Sequence, residues 1–263
     1  MHTTITHIYM ENKKTALVTG ASSGFGKEIV KMLAERGYDL ILIARRQKLL
    51  EALATSLKGT YPNQSFETIV GDVRDFKTIE TLIKSNPLYN EIEIVINNAG
   101  LARGLSTIVE GSLDDWNDMI DTNIKGVLHV SKICLPILIA KRKGHIVNMS
   151  SIAGKEVYAN GNVYCASKHA LDAITKSLRL ETAAYNIRVT SISPGAAETE
   201  FSLVRFRGDK ERAANVYKGF SALSAIDVAE CVLWALERPS HVNISEITVM
   251  PTVQPSAGVI IKN

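Results

Sequence analysis

Cysteine is scarce: Cys134, Cys165 and Cys231 are the three in 263 residues, an odd number, far apart and without C-x-x-C spacing. That argues against a disulfide framework and a thiol zinc site, and no metal is expected; a reducing cytosol is the natural setting. Charge of one sign is scarce too. Thirty Lys and Arg against 27 Asp and Glu leave a formal charge of +3, with no run of five basic residues. Neither nucleic acid nor an anionic membrane surface is therefore an expected partner. Long apolar runs are missing: "ICLPILIA" at 133–140 is far too short to span a bilayer. Residues 1–12, "MHTTITHIYMEN", lack the apolar core of a signal peptide and read as a loose N-terminal extension, with Met10 a second possible start. No Pro/Gly/Ser-rich linker, repeat or low-complexity tract divides the rest, so 13–263 is expected to be one domain.

What is present is a regular alternation. Short β-branched runs at 15–19, 39–43, 66–70, 93–97, 145–150, 187–193 and 244–250 are separated by amphipathic segments. In "GKEIVKMLAERG" (26–37), Ile29, Met32 and Leu33 share one face, and Gly37 supplies a stop. Strand-helix alternation from end to end predicts an α/β domain, doubly wound and Rossmann-type, with about seven parallel strands and helices on both faces. Ligands of such sheets bind beyond the carboxyl ends of the strands. The segments there are "GASSGFG", "ARR", "GDV", "NNAG", "SSIAG" and "PGAAETEF", all small or polar enough to share one crevice.

The first of these, Gly20 to Gly26, satisfies two patterns. As G-x-S-x-G it is a nucleophile elbow, which needs an acid and then a histidine later in the chain. Only His241, in "RPSHVNIS", lies late on a plausible loop, and no oxyanion partner accompanies it. As a glycine loop it is a cradle for a pyrophosphate. Gly20 permits the tight turn, Gly24 the approach of the backbone to a phosphate, and Gly26 close packing of the helix. Ser22 and Ser23 add hydroxyl donors, and the helix N-terminus adds N–H groups and positive dipole. The spacing differs from G-x-G-x-x-G, so the other segments have to decide. The second strand ends in Ala44, Arg45 and Arg46, where an NAD enzyme usually carries an acid for the ribose 2′-hydroxyl. Two guanidiniums there favour the 2′-phosphate of NADP.

Tyr164 and Lys168, in "YCASK", are i and i+4 and project from one helix face. With "TGASSGFG", "NNAG", Asn123 in "DTNIKG", and Ser151 thirteen positions before Tyr164, they make the chain resemble the short-chain dehydrogenase/reductase family over essentially the whole domain. The resemblance implies that Tyr164 exchanges a proton with the substrate oxygen, that Ser151 holds that oxygen, and that a neighbouring Lys168 ammonium favours the phenolate. It implies that Asn123 orders a water linking Lys168 to solvent. It implies further cofactor contacts from Phe25, from Asp72 and Val73 beside the adenine, and from Asn98, Ala99 and Gly100 on the ribose side. Pro194, Gly195 and Thr199 would lie near the carboxamide. Ala197 replaces a branched aliphatic, and Arg103 stands where an apolar residue is usual.

The C-terminal stretches "TEFSLVRFRGD", "DVAECVLWALERPSHVNI" and "VMPTVQPSAG", with Phe25, resemble the NADP-dependent 3-hydroxy acid dehydrogenase branch, which includes serine 3-dehydrogenase and L-allo-threonine dehydrogenase. Small 3-hydroxy acids are the substrates this implies, with Arg205 the first candidate for a carboxylate anchor and Arg103 the second. A broad carbonyl or ketoacyl-type reductase, and a non-catalytic NADP-binding protein, stay open. Family members suggest a cytoplasmic homotetramer pairing helices 112–135 and 162–184.

Overall fold

Alternate side chains along each strand enter two different cores, as a side-chain period of 2 requires. In the computed structural model, which describes residues 14–262, Leu40, Leu42 and Ala44 face one core and Ile41 and Ile43 the other. All six residues of that strand are buried, the mark of a strand covered on both faces. The expected extension at 1–12 lies outside the described residues.

Seven strands form one sheet: β1 (Thr15–Thr19), β2 (Asp39–Ala44), β3 (Phe66–Val70), β4 (Ile92–Asn97), β5 (Gly144–Met149), β6 (Ile187–Pro194) and β7 (Glu246–Val249). Every pairing is parallel, in the order β3-β2-β1-β4-β5-β6-β7. The helices are α1 (Gly24–Glu35), α2 (Gln47–Thr60), α3 (Phe76–Lys84), α4 (Leu113–Ile120), α5 (Gly126–Lys141), α6 (Asn162–Thr182), α7 (Phe201–Arg205), α8 (Lys210–Asn215) and α9 (Ala225–Leu236). Apolar residues of α1, α2 and α9 pack on one face of the sheet, and those of α3, α5 and α6 on the other. The expected doubly wound architecture is what the chain adopts. Strand order reverses between β1 and β4, so the crevice opens beyond their carboxyl ends.

Two helices differ in detail from the sequence expectation. α1 begins at Gly24, inside the glycine loop, and Gly37 ends it with φ +84, the left-handed stop that favours glycine. The segment expected at 112–135 is longer: α4 and α5 join through a π-helical turn, Asp121–Lys125, into one helix, Leu113–Lys141. By length and composition it is apolar enough to cross a membrane, with a mean hydropathy of 1.4 over its richest window. Packing accounts for that apolarity, since Val130, Ile133, Cys134 and Leu138 are core residues against the sheet.

Candidate active site

The glycine loop is held from the far side of the crevice. Asn98, just past β4, donates its side-chain amide to Thr19 O at 2.9 Å and Gly20 O at 3.2 Å. Thr19 Oγ1 in turn accepts from the backbone N–H groups of Asn98 and Ala99. Gly20 has φ +66, and a Cβ there would lie 2.8 Å from the Asn98 amide nitrogen. Gly26 fits still more closely, with a Cβ only 2.4 Å from Gly20 O. Ser23 is the N-cap of α1 but its hydroxyl makes no capping bond. Hydroxyl and first-turn N–H groups are therefore available to an anion.

This loop walls a groove of about 290 Å³ that runs over the ends of β1, β2, β3 and β4. Gly20, Ser22, Ser23, Gly24, Phe25, Arg45, Arg46, Asp72, Val73, Asn98, Ala99, Gly100, Tyr164, Lys168 and Thr199 all line it. Gly26 does not; its part is the close helix packing just described. At the β2 end, Arg46 is 2.8 Å from Glu200 and donates to Ser22 Oγ at 3.4 Å, while Arg45 is 3.7 Å from Asp72. Asp72 is gripped by Arg74 at 2.7 Å. Burial works to raise the Asp72 carboxyl, but the Arg74 hydrogen bonds and charges hold it below the usual carboxylate range. A long bent groove, with amide donors at its middle and two half-exposed guanidiniums at one end, suits a dinucleotide carrying an extra phosphate.

At the other end a second cavity of about 230 Å³ shares Phe25, Tyr164, Thr199 and Phe201 with the groove. Ser151, Pro194, Gly195 and Arg205 line it, so the structure brings these expected residues together. The Ser151 hydroxyl is a close neighbour of the Tyr164 hydroxyl. Ser151 Oγ accepts from Ala153 N at 3.1 Å, which fixes it at the end of β5. Burial drives the Tyr164 phenol well above its usual value, and nearby Tyr158 adds to the rise, while the Ser151 hydroxyl and the Arg205 charge pull it down. Lys168, on the next turn of α6, donates to Met149 O at 2.8 Å and has its ammonium 6.0 Å from the Tyr164 ring. Burial lowers Lys168 to about 8. Arg205 also faces this ring, its guanidinium carbon 5.8 Å from the centroid.

Asn123 sits in the π-helical turn, an irregularity common at functional sites. Its amide bonds Leu101 on both sides, accepting from N at 2.9 Å and donating to O at 2.8 Å, and also donates to Ser167 Oγ. Asn123 and Lys168 converge on Gly100, where a Cβ would lie 3.2 Å from Asn123 Oδ1 and 3.5 Å from Lys168 Nζ.

Arg103 is not brought to either cavity. Its guanidinium is captured by Val204 O at 2.8 Å and Asp118 at 3.5 Å, so it ties the β4 loop to α7 and α4. Several cavity residues carry no local sequence signal. Tyr158, Tyr217 and Gln254 line the second cavity, and Gln254 arrives from the C-terminal segment to accept from Ala196 N at 2.7 Å. The backbone carbonyl of Ala197, the residue in place of a branched aliphatic, accepts from Tyr217 Oη at 2.9 Å. No group of three His, Cys, Asp or Glu able to hold a metal occurs among the described residues.

Comparison with known proteins agrees with this geometry. The family model for short chain dehydrogenase matches residues 14–208. The NADP-dependent 3-hydroxy acid dehydrogenase of Schizosaccharomyces pombe is 44% identical over 93% of this chain and 95% of its own length. Serine 3-dehydrogenase of Agrobacterium fabrum is 40% identical over 93% and 96%. The closed form of a serine dehydrogenase complexed with NADP+ superposes with a TM-score of 0.88 at 38% identity, covering 95% of this chain and 99% of that one. The strand order, the cradle built across β1 and β4, and the Ser151–Tyr164–Lys168 constellation thus have one common explanation: the chain belongs to the short-chain dehydrogenase family.

Proposed function

We propose that this chain moves a hydride between NADP and the 3-hydroxyl or 3-oxo group of small 3-hydroxy acids, such as serine, L-allo-threonine, 3-hydroxyisobutyrate or 3-hydroxypropionate. The observation that carries the substrate half is Arg205. It lines the cavity of Ser151 and Tyr164 and, among the described residues, has no carboxylate partner. A small acid whose carboxylate meets Arg205 presents its β-oxygen to Ser151 and Tyr164. The names of the relatives above support the same chemistry.

The nicotinamide, when bound, supplies or takes the hydride. The oxygen is the work of the chain's own residues. In reduction, Ser151 holds the carbonyl oxygen and shares its developing charge. Tyr164 Oη donates its proton as the new C–H bond forms, and the phenolate regains a proton from solvent by way of Lys168 and Asn123. Oxidation reverses each transfer.

Arg45 and Arg46 are the proposed readers of the 2′-phosphate, exchanging Asp72 and Glu200 for it. A charge-assisted hydrogen bond contributes about 1.5–3 kcal/mol. Arg45→Asp is therefore expected to raise the Michaelis constant for NADPH by about tenfold or more and leave that for NADH nearly unchanged. Steady-state kinetics with both cofactors check this, and equal shifts would refute the assignment.

The apolar walls from Phe201, Val216 and Ile260 favour a second reading, a broad carbonyl or ketoacyl-type reductase for larger or uncharged substrates. A non-catalytic NADP-binding role would be excluded by any NADPH turnover. We place the protein in the cytoplasm as a homotetramer, paired through 112–135 and 162–184, where Leu113, Leu128 and Leu180 are exposed. Sedimentation should then give a four-chain mass; a monomer would contradict it.

A further inference from the structure

Arg205 is fixed with unusual care for an arginine at the end of a five-residue helix. Its Nε donates to Gly104 O at 2.9 Å, and Gly104 N donates back to Arg205 O at 3.0 Å. Arg103 holds the preceding carbonyl, that of Val204. So anchored, the guanidinium carbon stands 5.6 Å from the Tyr158 ring and 5.8 Å from the Tyr164 ring. It also acts electrostatically on Tyr158 and Tyr217, so three phenols surround one cation. No carboxylate neutralises it among the described residues.

We propose that Arg205 sets how tightly Tyr164 holds its proton, and that a substrate carboxylate bound to Arg205 tightens that hold. The second half rests on the reading of Arg205 as the carboxylate anchor; the first half does not. The titratable groups facing Tyr164 are Tyr158 from the loop before α6, Cys165 and Lys168 from α6 itself, and Arg205 from α7. Tyr158 and Cys165 can only become anions, which oppose a phenolate. Burial lowers Lys168 to about 8. Arg205 stays charged at every working pH. It is one of two side-chain cations beside the ring, at 5.8 Å against 6.0 Å for Lys168.

Two unit charges about 6 Å apart, at an effective dielectric of roughly 20–40, shift an ionisation by about 1–2 pH units. A bound carboxylate offsets most of that. The acid/base is thereby matched to the substrate: with a 3-oxo acid in place, Tyr164 keeps the proton it must donate. An uncharged carbonyl compound does not produce this effect.

The test is the pH dependence of NADP+-linked oxidation. With an uncharged secondary alcohol, the midpoint of the rising limb of kcat/KM is expected to move up by about 1–2 pH units in Arg205→Gln and to return in Arg205→Lys. A midpoint that does not move overturns the first half. With 3-hydroxypropionate, the kcat limb of the wild type is expected at higher pH than with the alcohol, and Arg205→Gln should erase the difference. No difference in the wild type overturns the second half and leaves the first standing. Should the Gln variant fail to fold, the phenolate absorbance of wild type minus Tyr164→Phe can be titrated with NADP+ bound. Propionate, an unreactive carboxylate, should raise that midpoint; an unchanged midpoint again overturns the second half.

Discussion

Replacing Tyr164 by phenylalanine is expected to lower kcat/KM by about 10²–10⁴-fold, the usual contribution of a positioned acid/base, while NADPH binding stays within about threefold, since one neutral hydrogen bond contributes only about 1 kcal/mol. The substitution deletes one oxygen and keeps the ring. Contacts with Phe201, whose ring centroid is 5.6 Å away, and with the Lys168 and Arg205 cations survive. What disappears is the hydroxyl that lies beside Ser151 in the second cavity. Stopped-flow or steady-state rates, with NADPH fluorescence for binding, separate the two quantities. A variant that kept a tenth or more of the activity would show that the proton comes from elsewhere.

Gly26→Ala is expected to weaken NADPH binding by about 5- to 150-fold, the equivalent of the roughly 1–3 kcal/mol typical of overpacking. The added methyl would stand 2.4 Å from Gly20 O and 2.5 Å from Asn98 Nδ2. Neither neighbour can yield cheaply. Gly20 O is backbone, and the Asn98 amide is committed to Thr19 O and Gly20 O. Relief requires α1 to move away from the loop, which opens the cradle. Gly59→Ala, in α2 with nothing within 4 Å of the new methyl, serves as the control and should bind NADPH normally. Equal affinity in both variants would mean that the loop is not the cofactor cradle.

Much of this was legible from periodicity. Strands such as β2 are continuous apolar runs because both faces are covered, and the i, i+4 spacing of Tyr164 and Lys168 puts them on one helix face, while Ser151 and the use of the glycine loop were reached through the family resemblance. Contacts made across the fold were not legible. Asn98 reads as one letter of "NNAG", yet its hold on the glycine loop depends on β4 lying beside β1. The partner of Arg46, Glu200, is 154 residues away, and Gln254 reaches Ala196 across 58. Arg103 looked like a substrate anchor because its position was unusual. Its direction was decided by the Val204 carbonyl and Asp118, which no spacing rule connects to it. Lys168 was expected to act on Tyr164 from its i+4 position. Its ammonium bonds the Met149 carbonyl and stays 6.0 Å from the ring, and Arg205, which no spacing rule connects to Tyr164, joins it at 5.8 Å.

The central claim is NADP-linked chemistry on a small acid that carries its own carboxylate. It is tested most directly by following NADPH formation at fixed NADP+ with L-serine, L-allo-threonine, 3-hydroxyisobutyrate and 3-hydroxypropionate, each set against an uncharged alcohol of similar size. The account predicts that kcat/KM for at least one acid exceeds that of its uncharged counterpart by about tenfold or more, the worth of one charge-assisted contact. Turnover of the uncharged alcohols with none of the acids would contradict it.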